Sequence, residues 1–276
     1  MAGLTDKPFI TPPLCPGCRP ARRNRCGIVI CAAARGGRFV AVEKVIVTVQ
    51  RSAADDAWCT GLRTDVADRL LALGLPGVAV NVRDAPVRDS LMTLTTLDPP
   101  VVALVSLWTQ QYYGDQVAAA LPILACVADS VAAYLVTESV PLPAPPTAAG
   151  ERTEGFANVA LLRKPDDLDR DTWLRRWHLD HTTVAIETQS TFGYTQNTVV
   201  RPLTADAPAV DAIVEELFPL AATADLHAFF GAADDAELGD RMNRMVASTS
   251  AFGANVNVDT VPTSRYVLRS PFGATA

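Results

Sequence analysis

Histidine has an ordinary pKa near 6.5, so it can give or take a proton around neutrality. This chain of 276 residues contains three histidines. Two of them, His178 and His181, stand three apart in the run Trp173-Leu-Arg-Arg-Trp177-His178-Leu-Asp-His181. At 100° per residue, Trp173, Leu174, Trp177, Val184 and Ala185 fall within an arc of about 120°. His181 lies at the middle of that arc and His178 at its edge. An imidazole there is either tied off inside a core, donating to a backbone carbonyl, or aimed into a pocket. In a pocket, burial between two indoles favours the neutral ring. A neutral ring can accept a proton from an activated C–H or a phenol, so His181 is the candidate acid–base group. His178 is a candidate to orient water or substrate, with a solvent-facing role as the alternative. Trp173 and Trp177 are candidates for a flat wall against a ring substrate, or simply for core.

Three later residues could join them. The phenol of Tyr194 could donate to a developing oxyanion. Asn197 falls on the opposite strand face, because side chains alternate, so at most one of the two faces a given pocket directly. Glu215, in an apolar strand, is either a buried acid paired with an imidazole or an edge residue in water. No third ligand accompanies the two imidazoles, and a catalytic metal usually has three protein ligands, so no metal is expected. His227 reads as a packing or surface residue. The glycine-rich loops that hold nucleotides and the nucleophile elbow of hydrolases are both missing from the sequence. No cofactor is expected.

These side chains need elements to hold them. Lys44–Val49 reads as a buried strand, and 56–73 as a helix ending at Gly74. Val78–Val82 and Val101–Trp108 read as strands, 115–129 as helix and Val131–Val140 as strand. The order is β-α-β-β-α-β, the ferredoxin-like pattern. It recurs: strand 156–163, helix 171–188, strands 191–200 and 210–218, helix 234–248, strand 258–268. A helical insertion lies at 222–230. An offset of 115 residues places Trp58 on Trp173, Leu62 on Trp177 and Asp65 on Asp180. At the positions of His178 and His181 the first half has Arg63 and Val66. The second half therefore reads as the chemical half and the first as its structural partner. The expected fold is α+β, with two tandem ferredoxin-like repeats packed sheet to sheet and helices outside. Pockets are expected between a helix layer and its own sheet. Exposed sheet edges would favour a homo-oligomer.

The expected divisions are a leader (1–42), repeat 1 (43–140), a linker (141–154), repeat 2 (155–269) and a tail (270–276). The first 41 residues carry seven basic residues, one acid and four of the six cysteines. Cys15, Cys18, Cys26 and Cys31 could hold zinc, but their spacing and apolar setting fit a disordered leader better. The apolar stretch 27–34 comes too late for an ordinary secretory signal. Residues 141–150 include four prolines, as a boundary would. The net charge is −6, and without the leader the body carries about −12, which argues against a duplex nucleic-acid binder. The apolar stretch 117–136 contains Pro122 and Asp129. It reads as buried helix and strand rather than a membrane span. The two cysteines outside the leader, Cys59 and Cys126, suit a reducing cytoplasm.

The repeated unit, the Trp173…Trp177-His178…His181 run, Phe192-Gly-Tyr194-Thr-Gln196-Asn197 and Asp211-Ala-Ile-Val-Glu215-Glu-Leu-Phe218 together resemble the EthD domain family. That family belongs to the dimeric α/β-barrel group. The resemblance is best over 156–268 and weaker over 43–140. It implies an intrachain dimeric α/β-barrel and oxidoreductase activity on a hydrophobic small molecule. Glu215 matches the family's strand glutamate, whereas Glu216 and Leu217 replace its usual apolar–aromatic pair. The first reading is a cofactor-independent enzyme in which His181 deprotonates an aromatic or polyketide-like substrate. The carbanion or phenolate formed then meets dioxygen or rearranges. The alternatives are a non-redox cyclase, dehydratase or decarboxylase, and a non-catalytic small-molecule-binding accessory protein. A haem enzyme, more distant, would need a proximal histidine.

Overall fold

A computed structural model describes residues 42–272. The leader cysteines and the last residues of the expected tail lie outside the described residues. The strands are β1 Glu43–Gln50, β2 Gly77–Val82, β3 Val101–Thr109, β4 Ser130–Leu142, β5 Phe156–Leu162, β6 Gly193–Pro202, β7 Ala212–Phe218 and β8 Asp259–Arg269. The main helices are α1 (56–72), α2 (Asp115–Ala125), α3 (170–188), α4 (Leu226–Phe230) and α5 (Asp235–Ser250). Each half forms an antiparallel sheet with the same spatial order, β4-β1-β3-β2 and β8-β5-β7-β6. The second strand of each half pairs with the last strand of the other, β2 with β8 and β6 with β4, so the eight strands close into one barrel. The fold is α+β, an intrachain α/β-barrel. Among the described residues the expected free sheet edges do not exist, since each of the eight strands has a neighbour on both sides. Closure removes the unpaired backbone groups that would have driven edge association.

The apolar runs follow from coverage on both sides. In β1, Val45, Val47 and Val49 pack under helices with Leu62, Val66 and Leu70 of α1. Between them, Ile46 faces the barrel lumen with Leu104, Tyr134, Val159 and Ile213. A strand buried on both faces reads as continuous hydrophobic sequence.

Both halves fasten their helices by the same device. The Asp55 carboxylate caps α1 by accepting from Trp58 N at 2.8 Å, and Asp169 caps α3 by accepting from Thr172 N at 2.9 Å. Within the first turn stands a tryptophan whose indole N–H donates to a carbonyl just past the second helix. Trp58 Nε1 donates to Val127 O at 2.8 Å, and Trp173 Nε1 to Phe252 O at 3.1 Å. Both helices then widen into a π-type turn, at Leu62–Val66 and at Arg176–His181. In α3 the Thr182 N–H reaches back five residues to Trp177 O, which also accepts from Thr182 Oγ1 at 3.0 Å. Such turns are frequent at functional sites.

The halves differ in their second helix. α2 buries Val117, Ala120 and Leu124 completely against the first half's core. At roughly 1.5–3 kcal/mol for a large apolar side chain, this seats the helix on its sheet. α5 (DAELGDRMNRMVASTS) has no fully buried residue. It is held through its ends and side chains, with Arg241 donating to Phe230 O at 2.6 Å and Arg244 paired with Glu187 at 2.7 Å. The space that apolar side chains fill under α2 stays partly open beside α5.

Candidate active site

That space is a cavity of about 220 Å³ between the outward face of β5–β7, α3, the end of α5 and the loop after it. Its apolar wall includes Ala160, Leu162, Val214, Met245, Phe252 and Val258. Gly253 follows Phe252 with φ +77°, and a Cβ there would lie 2.1 Å from Pro165 Cγ. Glycine thus permits the tight exit that delivers Phe252 to both the cavity and Trp173. Three groups able to handle protons line the same cavity: His181, Tyr194 and Glu216.

His181 is 8% exposed, and burial lowers its pKa from 6.5 to about 4. The ring is therefore neutral at physiological pH. Its Nδ1 lies 2.9 Å from Ser248 Oγ, and its ring lies tilted at 53° against Phe252 with centroids 4.9 Å apart. Among the described residues no protein group bonds Nε2. The imidazole is held at one nitrogen and free at the other, so it is not tied off by main-chain carbonyls.

Tyr194 is buried, and its phenol is held well above its ordinary pKa, chiefly by burial and then by the nearby Glu216 charge. It stays protonated and can only donate or accept a hydrogen bond. Glu216 is half-buried because the cavity reaches it. Burial pushes its carboxyl up to about 8. At neutral pH it is mostly a carboxylic acid. With its amide oriented so that nitrogen faces acceptors, Gln189 donates to Glu216 Oε1 at 3.1 Å.

The other expected site residues are dispersed. His178 projects toward β6, with Nε2 3.2 Å from Thr198 Oγ1 and its ring edge-on to Trp177 at 4.3 Å. It lies outside the lining of the His181 cavity. Burial lowers its pKa, partly offset by a hydrogen bond with Gln196. The two imidazoles diverge, His178 toward Thr198 of β6 and His181 toward Ser248 of α5. Trp173 is fully buried and bonded to Phe252 O, which makes it a fastener rather than a wall. Trp177 does line the cavity, and its Nε1 is buried without a partner. Asn197 faces the barrel side and donates to Ile213 O at 3.0 Å.

Glu215 also faces away from the imidazoles. Strand alternation turns it into the barrel, where it meets Arg265 Nε at 2.8 Å and accepts from Asn81 Nδ2 at 2.8 Å. Lys44 and Glu138 form a second ion pair at that barrel mouth, beside Trp108. His227 is partly exposed and ties α4 to α5 through Asp235 at 3.1 Å. Glu216, Asn158 and Ser248 were not expected at the site. Glu216 shares strand parity with the outward-facing Val214, and that parity is the signal that would have found it. Among the described residues no group of three or more His, Cys, Asp or Glu side chains is placed to hold a metal ion.

No family model matches the chain, and no curated protein matches it. Solved structures share its chain path at very low identity. An anthrone oxidase-like protein is 7% identical with a TM-score of 0.49, over 85% of this chain and 96% of that one. A candidate monooxygenase from Lactobacillus acidophilus NCFM is 8% identical with a TM-score of 0.43, over 83% and 96%. A candidate monooxygenase from Fusobacterium nucleatum subsp. nucleatum is 7% identical with a TM-score of 0.45, over 84% and 94%. Nothing about chemistry follows from likeness at this level. No helix among the described residues is long and apolar enough to cross a membrane.

Proposed function

We propose that this protein is an oxidoreductase of the EthD kind, acting on a hydrophobic, aromatic or polyketide-like small molecule with His181 as its acid–base group. One observation carries the reading. A neutral imidazole, anchored at Nδ1 and unbonded at Nε2, lines an apolar cavity of about 220 Å³. In the first half the corresponding position is Val66, buried in a close-packed core. The repeat at 155–269 is the working unit, and the repeat at 43–140 completes the barrel.

In the reaction, Nε2 of His181 accepts a proton from an acidic C–H or O–H of the bound molecule. Tyr194 lies in the same wall and can donate to the oxygen on which charge develops. The carbanion or phenolate then reacts with dioxygen or rearranges. The free thiols of Cys59 and Cys126 suit a cytoplasmic enzyme. Anthrone is a fitting probe, being an uncharged tricycle with an acidic methylene opposite its carbonyl. Oxygen uptake with anthrone should be catalysed by the intact protein and abolished in His181→Ala with the fold retained. Turnover unchanged in His181→Ala would remove His181 from the reaction. Turnover of anthrone without oxygen uptake would place the chemistry in the non-redox class.

A further inference from the structure

Glu216 is a carboxyl group without a cation. Its neighbour Glu215 is paired with Arg265, but Glu216 has no salt bridge among the described residues. Among the described residues no lysine or arginine lines its cavity, and the titratable groups that share the lining are His181 and Tyr194. From α5 and the following loop the cavity receives Met245, Thr249 and Phe252, none of which titrates. An ionised carboxylate in such a place would have neither counter-charge nor full hydration.

The strand register supplies an independent sign. Glu216 stands opposite Asn158 of β5 on one side and Tyr194 of β6 on the other, so the three form a row across the outward face. Asn158 is 6% exposed, and its Oδ1 is buried without a hydrogen-bond partner. Directly opposed side chains in antiparallel strands lie within reach of one another. A lone buried acceptor beside a carboxyl group is accounted for if the carboxyl carries a proton. The Gln189 amide already occupies Oε1, which leaves Oε2 to bear it.

We propose that Glu216 works as an un-ionised carboxylic acid that donates its proton to the carbonyl oxygen of an uncharged substrate while His181 takes the carbon-bound proton. This deepens the reading given above and rests on it. In the step, the C–H bond breaks and its proton joins His181 Nε2. The C–H electron pair forms the enol double bond, the carbonyl π pair moves to oxygen, and that oxygen takes the Glu216 proton. The products are the enol, an imidazolium and a carboxylate, so the cavity as a whole stays neutral. The substrate class follows: an apolar, enolisable ketone fits, whereas carboxylates and phosphates meet no cation among the described residues.

Two measurements test it. In protein labelled with carbon-13 at glutamate Cδ, the resonance missing from Glu216→Gln reports the titration of Glu216. A midpoint near 8 supports the proposal, and a midpoint in the ordinary carboxylate range overturns it. Anaerobic exchange of the anthrone methylene protons in D₂O isolates the proton step from any reaction with oxygen. Glu216→Gln should slow exchange by roughly tenfold or more, since a lost donor at a developing oxyanion costs up to 10²–10³ in rate. Wild-type exchange should decline as pH rises through about 8. If His181→Ala abolishes exchange and Glu216→Gln leaves its rate and pH profile intact, the Glu216 role is wrong and the His181 role stands. The opposite pattern defeats His181 as base and keeps Glu216. If the wild-type protein exchanges no protons, the step as written is wrong for this substrate class.

Discussion

Replacing His181 by glutamine removes the buried imidazole's titration while keeping a polar group beside Ser248. In the folded protein the ring takes up a proton only near pH 4, against 6.5 when unfolded. The side chain is 8% exposed, so solvent screens this difference little. At about 1.4 kcal/mol per pH unit, the displacement is worth about 3 kcal/mol. As pH falls below 6.5 the unfolded chain binds a proton that the folded protein refuses. Stability is therefore lost progressively between 6.5 and about 4, and the loss is complete below that. Glu216 acts with the opposite sign. Its raised pKa contributes stability at low pH that is lost as pH climbs from its ordinary value through about 8. That contribution is present in both proteins and drops out of their difference. Urea unfolding of wild type and His181→Gln at several pH values, with unchanged slopes, gives the difference directly. The wild type should lose about 3 kcal/mol relative to the variant between neutrality and about pH 4, a large share of the roughly 5–15 kcal/mol typical of a domain. A difference that stays flat to within about 0.5 kcal/mol would mean that the folded imidazole titrates as it does in water. The buried, neutral base would then be refuted.

Trp173→Phe should cost roughly 1–3 kcal/mol in chemical denaturation, because it strands the Phe252 carbonyl in a buried setting. Trp58→Phe, whose acceptor Val127 O is partly exposed, should cost less, and equal costs would refute Trp173 as a buried fastener. Ser248→Ala removes the partner of His181 Nδ1. Nitrogen-15 spectra of the ring should then show a mixture of tautomers where the wild type shows one, and an unchanged spectrum would end the positioning role of Ser248. Arg265→Met leaves Glu215 without its cation in the barrel mouth and should destabilise by roughly 3–5 kcal/mol, with most of it recovered when Glu215→Leu is added. Thermal unfolding of the single and double variants measures this, and a stable single variant would show that water reaches the pair.

Most elements were legible in the chain because their signals are local. Asp55 and Asp169 mark helix starts by capping them, Gly74 marks a stop, and β-branched runs such as 101–108 mark strands with both faces covered. The helical arc placed Trp173, Trp177 and His181 on one buried side, and all three are buried. The same arc did not separate their duties. Trp173 fastens α5's end, Trp177 lines a cavity, and His178 turns to β6. Each assignment depends on which distant residue stands opposite: Phe252, Val214 or Thr198.

The carboxylate is the sharpest case. Glu215 and Glu216 are neighbours of the same type, and alternation alone says only that they face opposite ways. Which one lines the imidazole's cavity depends on which side of β7 carries the helices and which is the barrel lumen, a matter of how two sheets close on each other. Arg265 then neutralises the inward residue, whereas no cation among the described residues lines the cavity of the outward one, which stays an acid. The cavity was equally a tertiary decision. The polar sequence of α5 could be read directly, but that it would stand over the outward face of β5–β7 and leave room there, where α2 packs Val117, Ala120 and Leu124 solidly, required the neighbours to be in place. Local sequence determined the helices, the strands and the buried stripe, since capping, periodicity and side-chain branching act within a few residues. Only the tertiary structure decided which buried polar groups share a hollow, because burial and counter-charge are properties of everything packed around a group rather than of the group itself.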